Sequence, residues 1–382
     1  MAQQTSQERA PDPDEETVTP VPEQWHPVVL GMIASGLLEL SNVLQRQATF
    51  PTPYPATLQR ALDRMTVMAM TADVEVPRSV MDLAAWAHCP FSEWPFRPYV
   101  EGMTGDEVLL VKGTPSKACL EWAVISGDVE GEIRERLLIH GVLDACKADN
   151  DQNAYVNFRA LLVEKPAMSE QDLAFLRSDA KFTLLAEEIR SAYQPAPAEA
   201  LIDGEALICA GCKNLWTLDL DGARRCQEWD CPDPSRIETR LPAAEGVVWL
   251  RRELRMFISG PGRAELRIAD ALRRHGLNVH LWPGFDACDI LPESVPWAAD
   301  VKSWTNPVRL AWRLTERPFI VPDNAERGYI VIAQEQTRGR PEYIRALRNH
   351  CSWLKKASTR VEVVTEKTYI DRVVAEARKR QS

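Results

Sequence analysis

The chain has 382 residues, enough for two or three domains, and 45% of them are hydrophobic and 26% charged. These proportions are those of a globular protein and exclude collagen-like, low-complexity and membrane-spanning classes. The formal net charge of −10 is unevenly distributed, since residues 1–245 hold 21 Lys and Arg against 39 Asp and Glu, whereas residues 246–382 hold 24 against 16. A basic C-terminal third is expected where a domain binds the phosphates of a nucleic acid, although basic surfaces also increase solubility.

Residues 1–24 are rich in Pro, Glu, Asp, Gln and Thr, which predicts a flexible tail. They lack the basic and apolar regions of a signal peptide. The mostly apolar run 28–38 is too short to cross a bilayer, so we expect a buried helix there and no membrane partner. The expected compartment is the cytoplasm, where cysteines are more often thiols or metal ligands than disulfides.

Residues 25–194 are predicted to form a mainly helical domain. Apolar residues recur at helical spacing along 37–44 and 58–65, and residues 133–146 and 154–163 have the pattern of amphipathic helices. Ser169 is a candidate N-cap for a further helix. The Pro-rich segment 194–198 is a candidate linker to the next domain.

A cysteine-rich segment at 200–245 contains the clearest motif of the chain. Cys209 and Cys212 form a Cys-x2-Cys pair, and Cys226 and Cys231 return 13 residues later as Cys-x4-Cys. Two such pairs joined by a hairpin supply the four thiolates of a tetrahedral zinc site. Buried thiols or two disulfides are the alternatives, but four cysteines in 23 residues favour a structural zinc ribbon.

Residues 250–382 follow the pattern helix, strand, strand, strand, helix, strand, helix, which predicts an α/β domain. Glu265 lies in the first helix. The second strand is predicted at 285–291, carrying Asp289, and the third at 295–304, carrying Asp300 and Lys302.

These four residues have the chemistry needed to hydrolyse a phosphodiester. Asp289 and Asp300 can share a divalent cation if their strands pair, and Glu265 can add a further ligand. Because side chains alternate along a strand, Lys302 projects from the same face as Asp300. Asp286 is an alternative to Asp289, and the simplest structural alternative is an ion pair that involves Asp300 and Lys302 without any catalysis.

This order of elements and acidic residues resembles the PD-(D/E)xK restriction-endonuclease-like superfamily. The resemblance implies an αβββαβ core and Mg²⁺- or Mn²⁺-dependent cleavage of DNA. It departs from the family name in one respect, since Cys288 and not proline precedes Asp289. It also suggests supporting roles for Gln334, Gln336 or Tyr343.

A narrower resemblance rests on the helical region, the four-cysteine ribbon and the sequence LWPGFDACDILPESVPWAADVKSW at residues 281–304. In this combination, over roughly residues 130–382, the chain is similar to the zinc-ribbon nuclease partner of bacterial PIWI-RE three-gene islands. The resemblance implies a PIWI-like protein and a DinG-type helicase as partners, in defence against mobile DNA.

Two other classes of function compete with a nuclease. A catalytically inactive nuclease fold could bind DNA or act as a scaffold, and the acidic helical region could serve as an adaptor for a partner protein. Motifs of other chemistries, such as a P-loop, a G-x-S-x-G elbow or an H-E-x-x-H zinc motif, do not occur in the sequence.

Overall fold

The computed structural model describes residues 25–44, 52–72, 75–95, 100–101, 103–126, 130–218, 222–226, 228, 231–356 and 360–381. The predicted tail at 1–24 lies outside the described residues. The described chain comprises a helical region, a small cysteine-containing module and a C-terminal α/β region.

The first part of the helical region is built around α1 (Trp25–Leu44), which packs against α2 (Ala56–Ala72) and α4 (Lys117–Ser126). Gly36 permits the close approach of α2, since a Cβ at this position would lie 2.7 Å from the Cβ of Leu58. Helix α3 (Val80–Ala87) and a short hairpin of β1 (Leu110–Val111) and β2 (Thr114–Pro115) lie between α2 and α4 in the sequence.

Helix α1 is longer than the apolar run predicted from the sequence. Among the described residues, its window Pro27–Leu44 is the segment that is long and apolar enough to cross a membrane by length and composition. However, 61% of this window is buried inside the protein. Its buried side chains, including Leu30 and Ile33, belong to the core formed with α2 and α4, as the prediction of a buried helix requires.

The second part of the helical region contains α5 (Glu130–Ala148), α6 (Gln152–Glu164), α7 (Glu170–Ser178) and α8 (Ala186–Ala192). The predicted N-cap is confirmed, since the Ser169 Oγ accepts a hydrogen bond from the backbone N–H of Asp172 at 3.0 Å. Two short strands, β3 (Ala167–Ser169) and β4 (Tyr193–Pro195), flank α7 and α8.

The cysteine-containing module follows β4 and consists of short antiparallel strands. These are β5 (Leu201–Ile202), β6 (Glu205–Cys209), β7 (Trp216–Leu218), β8 (Arg224–Cys226) and β9 (Ile237–Pro242). The chain then forms β10 (Val247–Leu250), which lies between β3 and β4 in an antiparallel sheet. The candidate linker at 194–198 is therefore partly a strand, and the module is an insertion whose two ends lie at neighbouring strands.

The C-terminal region begins with α9 (Arg252–Leu254) and a π-helical turn (Arg255–Ser259), which lead into α10 (Gly260–Arg274). The remaining elements are β11 (Val279–Leu281), α11 (Pro283–Asp286), β12 (Ile290–Pro292), β13 (Trp297–Lys302), α12 (Pro307–Glu316), β14 (Arg327–Ile332), α13 (Gln334–Thr337), α14 (Tyr343–His350), β15 (Val361–Thr365) and α15 (Glu366–Gln381). The sheet order is β11-β12-β13-β14-β15, with antiparallel pairs up to β13 and parallel pairs from β13 to β15.

Helices cover both faces of this sheet, as its parallel part requires. On one face, Val301 of β13 and Val331 of β14 pack with α10 and α15. On the other face, Ile330 and Ile332 of β14 pack with α12 and α14. The order helix, three strands, helix, strand that the sequence predicted is present.

The helical and C-terminal regions are packed against each other. One continuous hydrophobic core contains Tyr155 and Phe158 of α6 together with Ile268 of α10 and Tyr329 of β14. A second contact is a buried ion-pair network, in which the Arg309 guanidinium of α12 donates to Glu121 of α4 and to Glu107. Removing one partner from a buried ion-pair network destabilises the protein, because the remaining charge is left unpaired. The network therefore holds the helical and C-terminal regions in a defined arrangement.

Candidate active site

A cleft of about 670 Å³ lies where the helical region, the cysteine module and the C-terminal sheet meet. Its walls contain all four residues singled out in the sequence, together with acidic Asp286. Residues from both other regions also line it: Lys117, Glu121 and Arg159 from the helical region, and Glu228 from the cysteine module.

Asp289 and Asp300 are neighbours across two paired strands. Ile290 of β12 is opposite Ala299 of β13 in antiparallel register, and Asp289 directly precedes β12 as Asp300 directly follows Ala299. The Asp289 N–H donates to the Ala299 carbonyl at 2.9 Å, and the Asp289 Oδ2 accepts from the Val301 N–H at 2.6 Å. The two carboxylates therefore belong to the same part of the cleft.

Lys302 lies beside Asp300, as the alternation of side chains along β13 predicts. Its Nζ donates to the Asp300 Oδ1 at 2.6 Å, and the two side chains keep 27% and 17% of their accessible surface. Burial opposes the charged form of Lys302, but the carboxylates of Asp300 and Asp289 outweigh this effect and raise its pKa. Lys302 is therefore a cation whose ammonium group is held at the acidic centre.

Glu265 approaches the site from α10, on the buried side that also carries Ala264 and Ile268. It is 2% exposed, and its Oε2 accepts hydrogen bonds from the Arg159 Nη2 and the Trp282 Nε1. Burial raises the pKa of Glu265, while Arg159 and the Trp282 hydrogen bond act in the opposite direction. A carboxylate held by two donors in this way has a fixed orientation.

Asp289 is a second buried carboxyl group of the cleft whose pKa is raised. Burial raises its pKa well above the ordinary value, and the negative charges of Glu265 and Asp300 raise it further. A group in this environment gains stability from a bound proton or from another cation.

The second predicted strand is shorter than expected, because residues 285–289 are not part of it. Trp282, Phe285 and Asp286 have φ angles of +48°, +55° and +76°, so the chain makes a left-handed turn before β12 begins at Ile290. The side chain of Gln152 holds this turn by donating to the Trp282 carbonyl at 2.9 Å and accepting from the Phe285 N–H at 2.7 Å. The prediction that the strand begins at residue 285 is wrong for this reason.

Arg159, which α6 inserts into the site, is not among the residues predicted from the sequence. Its Nη1 contacts the Asp286 Oδ2 at 2.5 Å, its Nη2 lies 3.3 Å from the Glu265 Oε2, and its guanidinium lies over the Trp282 ring. The available signal was an arginine on the apolar face of a helix, between Tyr155 and Leu162, where an unpaired charge is costly.

The acidic residues have the donor chemistry that suits a hard cation such as Mg²⁺ or Mn²⁺, namely carboxylate oxygens in a partly enclosed cleft. Within the described part of the chain, however, Glu265, Asp289 and Asp300 are not a group whose ligand atoms all lie within 4.8 Å of one another. Asp300 and Glu265 are instead held by the internal cations Lys302 and Arg159. These carboxylates have the ligand chemistry that suits a divalent cation, and they lie in the same cleft. Their side chains would have to rotate to bring the oxygens around one ion.

The four cysteines of the inserted module do form a compact group. The Sγ atoms of Cys209, Cys212, Cys226 and Cys231 lie within 4.8 Å of one another, with pairs at 3.5 and 3.4 Å. A disulfide would require about 2.05 Å, whereas thiolates around tetrahedral zinc lie about 3.8 Å apart. A Cβ at Gly211 would lie 2.6 Å from the Cys231 Sγ, so glycine is needed there. The geometry fits zinc and excludes the disulfide alternative.

Two further residues support the segment that follows Lys302. The Tyr343 Oη donates to the Trp304 carbonyl at 2.6 Å, and the Gln336 Nε2 donates to the Ser303 Oγ at 3.4 Å. Neither residue lines the cleft, so their contribution to it is indirect.

Two family models match the chain. Residues 29–169 match the pPIWI_RE three-gene island domain Y, and residues 262–381 match the REase associating with pPIWI_RE. Both matches connect the chain with pPIWI_RE three-gene islands, and the C-terminal region matches a REase-type domain. No curated protein and no solved structure matches the chain significantly.

Proposed function

We propose that the protein is a Mg²⁺- or Mn²⁺-dependent nuclease that hydrolyses DNA phosphodiester bonds. One observation carries this proposal: Asp289, Asp300, Lys302 and Glu265 line one cleft, where Lys302 pairs with Asp300 and Asp289 accepts a hydrogen bond from the Val301 N–H between these two residues. The match of residues 262–381 to a REase domain supports it independently.

Each side chain of the site has a role in this reaction. When bound, the divalent cation supplies Lewis-acid stabilisation of the phosphorane and lowers the pKa of a water. Asp289 and Asp300 would hold this cation directly, and Glu265 would complete its shell or fix a water. Lys302 carries a positive charge at the position where it can orient the attacking water and stabilise negative charge on the phosphoryl oxygens.

Asp289 is preferred over Asp286 as the ligand. Asp286 is engaged by Arg159 at 2.5 Å and belongs to the left-handed turn, whereas Asp289 directly precedes β12 and binds the Val301 N–H next to Asp300. We propose that Asp286 anchors the turn and that the cation is shared by the two strand residues.

DNA is the proposed substrate because positively charged side chains, which can bind its phosphates, lie beside the acidic residues of the cleft. Lys117, Arg313 and Arg317 line the same cleft, and residues 246–382 are basic overall. Side chains of this kind bind the phosphate backbone irrespective of sequence. We further propose that the protein acts in the cytoplasm with a PIWI-RE protein and a DinG-type helicase in defence against mobile DNA.

The proposed activity is tested by incubating the purified full chain with single- and double-stranded DNA. Cleavage is expected with Mg²⁺ or Mn²⁺ and is expected to disappear when EDTA removes the cation. Product formation is followed on a denaturing gel, with an unrelated zinc-ribbon protein prepared in parallel as a control for contaminating nucleases. Cleavage that continues unchanged in EDTA would contradict the proposal, as would its absence in the presence of the partner proteins as well.

The raised pKa of Asp289 predicts a specific pH dependence of stability. A carboxyl group whose folded pKa is raised binds its proton more tightly in the folded state, so it stabilises the fold at low pH and this contribution is lost as pH rises through the raised pKa. The midpoint of thermal unfolding of the zinc-loaded protein, measured without added divalent cation, should therefore fall as pH increases above the ordinary Asp value, and Mn²⁺ should reduce this fall.

The control for this prediction is Asp289→Asn, which keeps an acceptor for the Val301 N–H but cannot titrate. Its unfolding midpoint should depend less on pH than that of the unsubstituted protein, and Mn²⁺ should have little effect on it. Identical pH profiles for the two proteins would contradict the assignment of a perturbed carboxyl group at residue 289.

A further inference from the structure

Arg159 comes from α6, inside the region matched by domain Y, yet its guanidinium lies among the acidic residues of the REase domain. The side chain is 6% exposed and is held from several sides. It contacts Asp286 and Glu265, it donates to the Tyr155 Oη at 3.3 Å, and it lies over the Trp282 ring at 4.9 Å. A buried arginine placed this firmly contributes a fixed positive charge to its surroundings.

The charges that meet at this site do not cancel. Glu265, Asp286, Asp289 and Asp300 carry four formal negative charges, while Arg159 and Lys302 carry two positive ones. The remainder, a net charge of −2, is the charge that one divalent cation neutralises. Without Arg159 the remainder would be −3, and the buried carboxylate of Glu265 and the partly exposed carboxylate of Asp286 would lose the donor that holds them.

We propose that Arg159 is a positioning residue of the nuclease site, through which the domain Y region sets the charge of the REase centre to match one divalent cation. The inference rests on the proposed function, since it concerns the same cation site. Arg159 holds Glu265 and Asp286 in place, and it weakens the attraction of the site for additional cations. The α6 helix is accordingly part of the active site, although it lies outside the REase match at residues 262–381.

The test compares Mn²⁺ binding by the zinc-loaded full chain and three variants, measured by calorimetry and by the Mn²⁺-induced rise in the unfolding midpoint. Arg159→Gln makes the site more negative, so we expect Mn²⁺ to bind about tenfold more tightly or with a second equivalent, since a unit charge at this range changes affinity by at least this factor. Arg159→Lys retains the charge and should bind Mn²⁺ as the unsubstituted protein does, with altered turnover.

Asp286→Asn changes the charge in the opposite direction and should weaken Mn²⁺ binding about tenfold. The double variant Arg159→Gln/Asp286→Asn restores the remainder of −2, and its affinity should return toward the original value. If Arg159 merely fills space, the double variant will bind no better than the poorer of the two single variants, which would overturn the inference.

The outcomes separate the two proposals. An unsubstituted protein that binds no Mn²⁺ outside the cysteine cluster would refute the proposed function and this inference together. Normal Mn²⁺ binding that none of the charge changes alters would refute the role of Arg159 alone. If Arg159→Gln alone does not fold, the double variant is compared with Asp286→Asn: tighter Mn²⁺ binding by the double variant supports the charge role of Arg159, and equal binding refutes it.

Discussion

Asp300→Asn is expected to abolish DNA cleavage while the fold is retained. The substitution removes the negative charge that Asp300 offers to a cation and to Lys302, but it keeps the size of the side chain and one acceptor oxygen. Loss of a ligand that contributes several kcal/mol to stabilising the transition state corresponds to a decrease in rate of at least about 1000-fold. The rate is measured in single-turnover assays, and DNA binding is measured separately in EDTA.

The chain offers a matched control for this substitution. Asp179 and Lys181 have the same spacing as Asp300 and Lys302, but Asp179 is exposed in a turn after α7, where its Oδ1 accepts from the Lys181 N–H. Asp179→Asn should therefore leave the cleavage rate unchanged. Full activity of Asp300→Asn would show that the pair with Lys302 is only an ion pair and that cleavage does not depend on the proposed site.

Cys212→Ser is expected to release the metal and to unfold the inserted module. Cys212 is fully buried in the four-cysteine cluster, and serine is a poor ligand for zinc. Structural zinc contributes on the order of 10 kcal/mol to small metal-bound folds, far more than the strands of this module can supply by themselves. Elemental analysis should fall from one zinc per chain to nearly none, and the unfolding midpoint should decrease.

The effect should also reach the cleft. Glu228, between the second pair of cysteines, lines the cleft and contacts both Asn214 of the module and Arg263 of α10. Cleavage should therefore weaken together with the loss of zinc. Cys89→Ser is the control, because Cys89 lies outside the cluster and its substitution should leave the zinc content unchanged. A Cys212→Ser protein that retains its full zinc content would refute the site.

The parts of the site that follow from local sequence were predictable. The spacing of the cysteines encodes two chelating turns, and the alternation along β13 places Asp300 and Lys302 on one face. Asp289 and Asp300 line one cleft, and their joint binding of a cation stays a prediction. Each of these inferences needs only a few consecutive residues or one pair of neighbouring strands.

The contributions that depend on distant packing were not predictable. Arg159 and Glu265 are 106 positions apart, and nothing in the sequence near α6 indicates which carboxylates the arginine will meet. The left-handed turn at residues 282–286 is held by Gln152, again from α6, so a local reading of this apolar segment favoured a continuous strand. The sequence predicts a linker at 194–198 because β10, the strand that pairs with this segment, comes about 50 residues later in the chain.

The hydrophobic core that joins α6 with α10 and the sheet bears on how this protein can evolve. Recombination could replace one matched region with that of a distant homologue. The apolar surfaces of the two regions would then no longer fit each other, and Arg159 would be separated from its carboxylates. The two regions are thus expected to be inherited as a pair. The cysteine module enters and leaves at adjacent strands, so a change in its length would leave the pairing of β4 with β10 in place.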